Sequence, residues 1–207
     1  MSIGIFRSVL YTTSMIYTLN IEKAIKFAGK THNHYQEQKR KGKRIPYISH
    51  PLTAGIILAL SGASEDVIVA GILHDTIEDS IDEKKVTPQM IEERFGEQVR
   101  DLVLSVTEMD KSLPWAERKA LALSHIEHFS EDSILVKSAD VLSNGRELVD
   151  DHGRHGHEVF SRFVASMEDT LANYSRIIEA LLTRFPESPL AEDLQILAKA
   201  LDDIPRA

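Results

Sequence analysis

Residues 71–79 carry a histidine and three carboxylates within one short stretch, Gly71-Ile72-Leu73-His74-Asp75-Thr76-Ile77-Glu78-Asp79. The preceding residues from position 67 to 73 are apolar, so the stretch is expected at the end of a buried helix. Neighbouring helical residues differ by about 100°, which directs His74 and Asp75 to one side of the axis and puts Glu78 and Asp79 one turn later. Buried carboxylates need partners or a metal ion. The stretch therefore predicts a functional site rather than a solvated helix end.

Apolar residues recur at helical spacing along most of the chain. Asn20 is expected to cap the first helix, and Ser64 to cap the third, which should run to about Ile77. Further helices are predicted over about 51–60, 88–94, 99–106, from 114, 157–182 and 189–201. The run Ile134–Val136 resembles a strand, but the helical pattern continues through Leu142 and no partner strand is evident. We expect one all-α domain over residues 20–207, with residues 1–19 as an N-terminal extension.

The composition limits the classes of function. The chain has 207 residues, 43% of them hydrophobic, which suffices for one packed core. It has 24 Lys plus Arg against 32 Asp plus Glu, and a net charge of -8 gives no support for nucleic-acid binding. The absence of cysteine excludes disulfides and thiolate metal sites. No apolar run is long enough for a membrane span or secretory signal, so we expect a cytoplasmic protein.

Two further polar residues stand in apolar surroundings. His50 lies in Pro46-Tyr47-Ile48-Ser49-His50-Pro51, upstream of His74. Asp140 ends the run Val136-Lys137-Ser138-Ala139-Asp140. Because the chain has no thiolates, any metal site must be built from histidines and carboxylates of this kind.

This set of residues resembles the HD-domain metal phosphohydrolases. More narrowly, it is similar to the hydrolase domain of the RelA/SpoT proteins and the small alarmone hydrolases, a group that includes the metazoan SpoT homologue. The resemblance covers residues 28–146 and includes the Leu-His-Asp-Thr-x-Glu-Asp signature. It implies a single HD-domain helical bundle with a buried metal site for one divalent ion, usually Mn²⁺. The implied metal ligands are His50, His74, Asp75 and Asp140, and the implied catalytic pair is Glu78 and Asp79.

A basic loop precedes the first implied ligand, Lys39-Arg40-Lys41-Gly42-Lys43-Arg44. A run of charge is commonly a solvated loop, but this one lies close to a metal ligand in an acidic protein, which favours a phosphate-binding role. The resemblance implies that Arg40 and Lys41 contact the nucleotide, although the loop is one residue longer than in the family. Asn144 matches the family's nucleotide-contacting asparagine.

The segment after Asp140 departs from the family pattern. Val141 replaces a basic residue, Ser143 an aromatic residue or histidine, and Glu147 a threonine. A carboxylate at position 147 would be unfavourable near phosphates unless it faces away or meets a cation. These departures leave the metal site intact and bear on the identity of the substrate.

The resemblance implies hydrolysis of the 3′-pyrophosphate of guanosine tetra- or pentaphosphate (ppGpp or pppGpp), a small nucleotide. Two alternatives stay open at this point. One is an HD phosphohydrolase for another phosphorylated nucleotide, such as NADPH. The other is a non-catalytic nucleotide-binding module, which the retained Glu78 and Asp79 argue against. The sequence does not indicate an oligomeric state.

Overall fold

The structure is a computed structural model that describes residues 17–108 and 111–206. Over these ranges it is all-α and contains no β-strand, only an isolated bridge between Lys39 and Pro46. The helices are α1 (Leu19–Gly29), α2 (Ser49–Leu60), α3 (Glu65–Leu73), α4 (Thr76–Asp79), α5 (Pro88–Phe95), α6 (Glu97–Val106), α7 (Trp115–His125), α8 (Glu131–His155), α9 (Met167–Arg184) and α10 (Ala191–Asp202). The all-α prediction is confirmed. Residues 1–16 of the predicted N-terminal extension lie outside the described residues, and helix α1 begins at Leu19.

The core forms where α2, α3 and α8 pack against one another. Helices α2 and α3 approach closely because a glycine faces a large side chain at two points. A Cβ atom on Gly71 would lie 2.3 Å from Leu58 Cδ1, and one on Gly55 would lie 2.6 Å from Ile72 Cγ1. Fully burying a side chain such as Leu58 contributes about 1.5–3 kcal/mol. This close crossing places the first turn of α2 beside the end of α3.

The cap of the first helix is not the predicted one. Thr18 caps α1, and its hydroxyl accepts a hydrogen bond from the backbone N–H of Ile21. Asn20 instead donates its side-chain amide to Glu65 Oε1 at 2.9 Å, which ties α1 to the start of α3. The prediction that Ser64 caps α3 is confirmed, because Ser64 accepts from the backbone N–H of Val67.

Helix α3 ends at Leu73, four residues earlier than predicted. Two side chains donate hydrogen bonds to the backbone carbonyl groups at its end. His74 Nδ1 donates to the Gly71 oxygen at 2.8 Å, and Thr76 Oγ1 donates to the Leu73 oxygen at 2.7 Å. Such side-chain bonds compete with the helical backbone pattern. His74 and Asp75 therefore lie in a turn between α3 and α4.

The prediction of one long helix over 157–182 is wrong. Gly156 ends α8 with a φ of 58°, a left-handed conformation that favours glycine. A 3₁₀ segment follows (Gly156–Arg162), and α9 begins only after Ser166, which accepts from the backbone N–H of Asp169 at 3.0 Å. The prediction that Ile134–Val136 is helical is confirmed, since this run lies buried within α8.

Helix α5 begins at Pro88 as predicted, and Thr87 caps it by accepting from the backbone N–H of Met90. Gly96 separates it from α6 with a φ of 94°. Across residues 17–108 and 111–206, no helix is both long and apolar enough to cross a membrane.

Candidate metal centre

Two buried histidines face each other at the crossing of α2 and α3. His50 lies in the first turn of α2 and His74 directly follows α3. Their Nε2 atoms are 3.1 Å apart. His74 Nδ1 donates to the Gly71 carbonyl, and His50 Nδ1 lies 2.8 Å from Ser143 Oγ. Because a carbonyl only accepts, the neutral His74 ring carries its proton on Nδ1 and directs the lone pair of Nε2 towards His50.

Two carboxylates lie beside this histidine pair. Asp140 Oδ1 is 3.3 Å from His50 Nε2 and 3.8 Å from His74 Nε2. Asp75 Oδ2 is 3.1 Å from His74 Nε2 and 3.5 Å from His50 Nε2. The group of His50, His74 and Asp140 can hold a metal ion, because one ligand atom from each lies within 4.8 Å of the others. Asp75 lies outside that group and borders it.

The donor set fits a divalent cation. Two imidazole lone pairs 3.1 Å apart repel unless a proton or a cation lies between them. Burial opposes protonation of His74, but Asp75 and Asp140 outweigh burial and raise the pKa of His74 to about 9. The centre therefore attracts positive charge. Imidazole nitrogens together with carboxylate oxygens suit borderline ions such as Mn²⁺, Fe²⁺ and Zn²⁺.

Neighbouring side chains hold the two carboxylates in place. Lys137 Nζ lies 2.8 Å from Asp140 Oδ2, and Asn144 Nδ2 donates to Asp140 Oδ1 at 2.6 Å. The hydroxyl of Tyr47 donates to Asp75 Oδ2 at 2.5 Å. Burial favours the neutral acid, but Lys137 and the two histidines hold the pKa of Asp140 well below its usual range. Both groups are thus oriented as carboxylates before an ion arrives, as the supporting residues of metal sites commonly ensure.

The predicted catalytic pair lies on α4 at the edge of the centre. Glu78 Oε2 accepts from the backbone N–H of Glu108 at 3.1 Å. Asp79 Oδ1 accepts from Lys111 Nζ at 2.9 Å, and Asp79 Oδ2 accepts from Gln38 Nε2 at 2.9 Å. Burial and the neighbouring negative charges raise the pKa of Glu78. The two carboxylates therefore have different surroundings, since Asp79 meets two side-chain donors and Glu78 meets a backbone N–H.

The basic loop meets α8 through a network of ion pairs. Arg40 donates to Asn144 Oδ1 at 2.6 Å and to Glu147 Oε2 at 2.8 Å through Nε. Lys43 Nζ lies 2.5 Å from Glu147 Oε1 and 2.7 Å from Asp151 Oδ2. Although burial favours its neutral form, Arg40 and Lys43 lower the pKa of Glu147. The sequence predicted that a carboxylate at position 147 must either face away from the phosphates or meet a cation. The second condition is met, because Glu147 pairs with two cations.

Lys41 belongs to the same loop, lines the cavity described below and remains available to an anion. Across the described ranges, no carboxylate pairs with it, and its Nζ lies 5.5 Å from the ring centroid of Phe163. Burial lowers the pKa of Lys41, and the nearby charges of Lys119, Arg118 and Arg40 lower it further. Several positive charges therefore lie close to Lys41, whose ammonium group also lies beside the Phe163 ring.

A cavity of about 690 Å³ joins the two regions. It is lined by His74, the carboxylates of the centre and Lys137, and also by residues of the basic loop and of α7. Four aromatic residues also line it: Tyr47, Trp115, Phe163 and Tyr174. Its volume is in the range of small-molecule and cofactor sites. The structure thus brings eight of the nine sequence-predicted site residues to one cavity, while His50 lies behind His74.

The sequence reasoning assigned no role to four residues that support the site, namely Gln38, Tyr47, Lys111 and Lys137. Lys137 could have been found from its helical i−3 spacing to Asp140. Gln38 and Lys111 gave no such signal, because both lie outside regular α-helix and reach Asp79 only through the tertiary fold.

Comparisons with known proteins agree with this geometry. The family model described as "HD domain" matches residues 24–170. A Xenopus tropicalis protein named guanosine-3′,5′-bis(diphosphate) 3′-pyrophosphohydrolase MESH1 is 42% identical over 130 residues, which are 62% of this chain and 69% of that protein. The human protein of the same name is 40% identical over 128 residues, 61% of this chain and 68% of its own length.

A solved structure shows the same fold. The protein in that structure is described as a metazoan orthologue of SpoT that hydrolyses ppGpp and plays a role in starvation responses. The superposition has a TM-score of 0.69 with 24% identity, and it covers 92% of this chain and 96% of the other. At this identity the match concerns the fold, and it extends well beyond the sequence alignments.

Proposed function

The chain belongs to the HD-domain family, and we propose that it is a metal-dependent hydrolase of guanosine tetraphosphate and pentaphosphate. The reaction removes the 3′-pyrophosphate and leaves GDP or GTP. Relatives that are 42% and 40% identical bear the name of this activity, which supports the assignment. We include a cytoplasmic location in the proposal, in keeping with a chain that lacks cysteine.

One observation carries the proposal. His74 and the carboxylates beside the histidine pair line a cavity that basic and aromatic side chains also line. Phosphate groups need cations, and a nucleobase favours aromatic rings, so the two kinds of lining match the two halves of a nucleotide. The reacting phosphate would lie beside His74.

The residues proposed to hold the ion are His50, His74, Asp75 and Asp140, with Mn²⁺ as the proposed metal. When bound, a divalent ion supplies a Lewis acid and lowers the pKa of a water molecule. The protein's own contribution is to orient both imidazoles, through the contacts of their Nδ1 atoms with the Gly71 carbonyl and Ser143, so that the two Nε2 atoms face each other, and to hold both aspartates as carboxylates.

Glu78 and Asp79 are proposed to handle the proton of the attacking water. The raised pKa of Glu78 suits a residue that must accept a proton and release it again. The carboxylate of Asp79 accepts hydrogen bonds from Lys111 and Gln38, and its proposed task is to orient the water by accepting a further one. Both tasks need the side chains at the edge of the centre, where α4 places them.

Arg40, Lys41 and Asn144 are proposed to contact the substrate. Lys41 has no carboxylate partner within the described ranges, so it can receive a phosphate without losing an ion pair. Arg40 already donates to Asn144 and Glu147. A phosphate must therefore compete with Glu147 for this guanidinium, and the nucleotide contact of Arg40 depends on that exchange.

The pairing of Glu147 also favours a second candidate. Glu147 and Asp151 neutralise Arg40 and Lys43, so fewer cations are left for a substrate as highly charged as ppGpp. This observation supports hydrolysis of a less charged nucleotide, such as removal of the 2′-phosphate of NADPH. A non-catalytic binding module is the third outcome to be distinguished.

A panel assay separates these outcomes. The purified protein with Mn²⁺ is incubated with ppGpp, pppGpp, NADPH and ordinary nucleotides, and the released product is identified. Pyrophosphate from the 3′ position supports the main proposal, whereas orthophosphate from NADPH supports the second. Trp115 is the one tryptophan in the sequence and lines the cavity, so its fluorescence reports binding separately. Quenching without turnover of any nucleotide would indicate a binding module.

A further inference from the structure

A fully buried histidine lies behind the proposed catalytic pair. His32 has 0% exposure and belongs to the π-helical turn Lys30–His34 that follows α1. Its Nδ1 lies 2.7 Å from Gln38 Oε1. Its Nε2 is buried and meets no hydrogen-bond partner in the part of the chain that the structure describes. A buried polar atom without a partner is costly, so this arrangement calls for an explanation.

The partners of Gln38 fix the orientation of its amide. Gln38 Nε2 donates to Asp79 Oδ2 at 2.9 Å, since a carboxylate only accepts. The amide oxygen must then face His32, and an amide oxygen only accepts. The proton of the neutral His32 ring therefore resides on Nδ1, and Nε2 is the atom left bare. A flipped amide would turn its oxygen against the carboxylate of Asp79.

Asp79 is held from several directions by this part of the fold. Its backbone oxygen accepts from Gln36 Nε2 at 2.9 Å, and the same amide donates to the Thr31 oxygen at 3.0 Å. Its Oδ1 meets Lys111. Gln38 is partly buried, whereas the side chain of Lys111 is 49% exposed. Gln38 is therefore the less exposed of the two side-chain donors to the Asp79 carboxylate, and it is the one that can fix the plane of that carboxylate.

The ring of His32 also packs beside the residue that supports Asp75. The centroids of His32 and Tyr47 are 5.0 Å apart, and the hydroxyl of Tyr47 donates to Asp75 Oδ2. One buried imidazole therefore lies against the supports of two carboxylates of the centre. A hydrophobic residue would fill this volume equally well, but it could not donate to Gln38.

We infer that His32 and Gln38 are positioning residues, with the Nδ1–H of His32 fixing the Gln38 amide so that its NH₂ group orients the carboxylate of Asp79 for hydrolysis. The inference rests on the proposed function through the role of Asp79. It explains why position 32 carries a histidine, since the ring donates from Nδ1. It also explains why Nε2 has no partner, because the neutral ring has a single proton and that proton is required at Nδ1.

The kinetic test compares four variants in the presence of Mn²⁺. Gln38→Met and His32→Leu remove the donors, and we expect kcat to fall by about 10- to 100-fold, since a small misplacement of a reacting group costs this much. The KM and the metal content should change little. His32→Asn places an amide nitrogen close to the position of Nδ1 and should keep kcat within about threefold of the wild type. Gln89→Met is the matched control, because Gln89 also donates to a carboxylate but lies exposed on α5.

Three results would overturn the inference. Wild-type kcat in both Gln38→Met and His32→Leu would show that no positioning is needed. An equal loss in His32→Asn and His32→Leu would show that the donor is irrelevant. A kcat that falls only in proportion to metal content and thermal stability would indicate a purely structural role.

A second measurement does not depend on turnover. Nitrogen-15 NMR of the histidine rings should show His32 as the Nδ1–H tautomer in the wild type and as a mixture in Gln38→Met. An Nε2–H tautomer in the wild type would overturn the inference even if ppGpp is the substrate. Failure of the wild type to hydrolyse any nucleotide would instead overturn the proposed function, and the NMR result would still decide the pairing of His32 with Gln38.

Discussion

His74 depends on three neighbours for its chemical state. The Gly71 carbonyl fixes the proton on Nδ1, and the charges of Asp75 and Asp140 make Nε2 attractive to a cation. A histidine in an apolar core would have its pKa lowered by burial, but here that effect is outweighed. The function of this one side chain therefore follows from the charges around it.

Removal of one metal ligand is expected to remove the ion. His74→Ala loses one of two imidazoles, and Asp140→Asn weakens an oxygen ligand and leaves Lys137 without its charge partner. Both variants should lose stoichiometric Mn²⁺ and hydrolytic activity together. Metal content is measured on the purified proteins by atomic emission, with His125→Ala as the control, since His125 is exposed on α7. Full metal content in His74→Ala would exclude it from the site.

Replacement of the acidic pair should separate binding from chemistry. Glu78→Gln and Asp79→Asn keep size and polarity but remove the charge, so bound metal and substrate Kd should stay near wild type. We expect kcat to fall by about 10²–10⁴-fold for the residue that transfers the proton. Kinetics across pH give a further check. The pKa of Glu78 is raised, so wild-type activity should decline as the pH falls through that value, and this decline should be absent in Glu78→Gln. Unchanged kcat in both variants would remove the catalytic role.

At the scale of elements, the site depends on how closely α2 and α3 cross. His50 lies in α2 and His74 directly follows α3, and Gly71 lets the two backbones approach so that the two Nε2 atoms lie 3.1 Å apart. The contact of Leu58 with Gly71 leaves no room for a side chain at position 71. Packed interiors adjust poorly to even one additional methyl group.

A methyl group at this crossing should damage the metal site. Gly71→Ala places a Cβ atom against Leu58, and we expect a loss of about 1–3 kcal/mol in the free energy of unfolding and weaker binding of Mn²⁺. Gly153→Ala in α8 is the matched control, because no heavy atom lies within 4 Å of its added Cβ. That change should be neutral or stabilising by up to about 1 kcal/mol. Denaturant unfolding and metal titration measure both effects, and equal behaviour of the two variants would contradict the explanation.

The junction between the basic loop and α8 should respond to pH. Glu147→Gln removes a carboxylate that pairs with Arg40 and Lys43, which costs about 1 kcal/mol of stability near pH 7. Because the pKa of Glu147 is lowered by folding, this contribution is present above its unfolded pKa and disappears as the pH falls through the folded pKa. The two proteins should therefore converge in acid.

The same variant tests the competition for Arg40. If Glu147 competes with phosphate, Glu147→Gln should lower the KM for ppGpp while it lowers stability at neutral pH. Urea unfolding at several pH values and steady-state kinetics check the two parts. A stability difference that grows towards acid pH would contradict the first part, and an increased KM would contradict the second.

At the scale of the whole molecule, the metal centre connects distant parts of the chain. Its proposed ligands come from α2, the turn after α3, and α8, and these segments meet only in the folded core. An ion held there stabilises the native state alone, because the unfolded chain has no such grouping.

Metal binding should therefore raise the melting temperature. At a free Mn²⁺ concentration one hundred times the Kd, the stabilisation is about 2.7 kcal/mol, or roughly 5–10 °C for a chain of this size. Removal of the ion with a chelator should reverse the shift, and His74→Ala should show none. Differential scanning calorimetry with Mg²⁺ as a comparison ion checks the result. An equal shift in His74→Ala would place the stabilising ion elsewhere.

The sequence by itself determined the fold class and the composition of the site. Helical periodicity indicated an all-α chain, and the absence of cysteine with a histidine and carboxylates in an apolar stretch indicated a metal site of nitrogen and oxygen ligands. These features are local, since they depend on the spacing of residue types along a helix. The same reasoning misplaced the end of α3 and the start of α9, because the side-chain bonds to backbone carbonyls after α3 and the 3₁₀ segment Gly156–Arg162 depend on three-dimensional context.

The tertiary structure alone decided which charges meet. Glu147 and Arg40 are 107 residues apart in the chain, and Gln38 and Asp79 are 41 apart, yet both pairs lie at hydrogen-bond distance. No periodicity links such positions, because their contact depends on the packing angles of helices and on the path of loops. The physical reason is that hydrogen bonds and ion pairs act over a few ångströms, while sequence patterns describe only the orientation of side chains around their own helix.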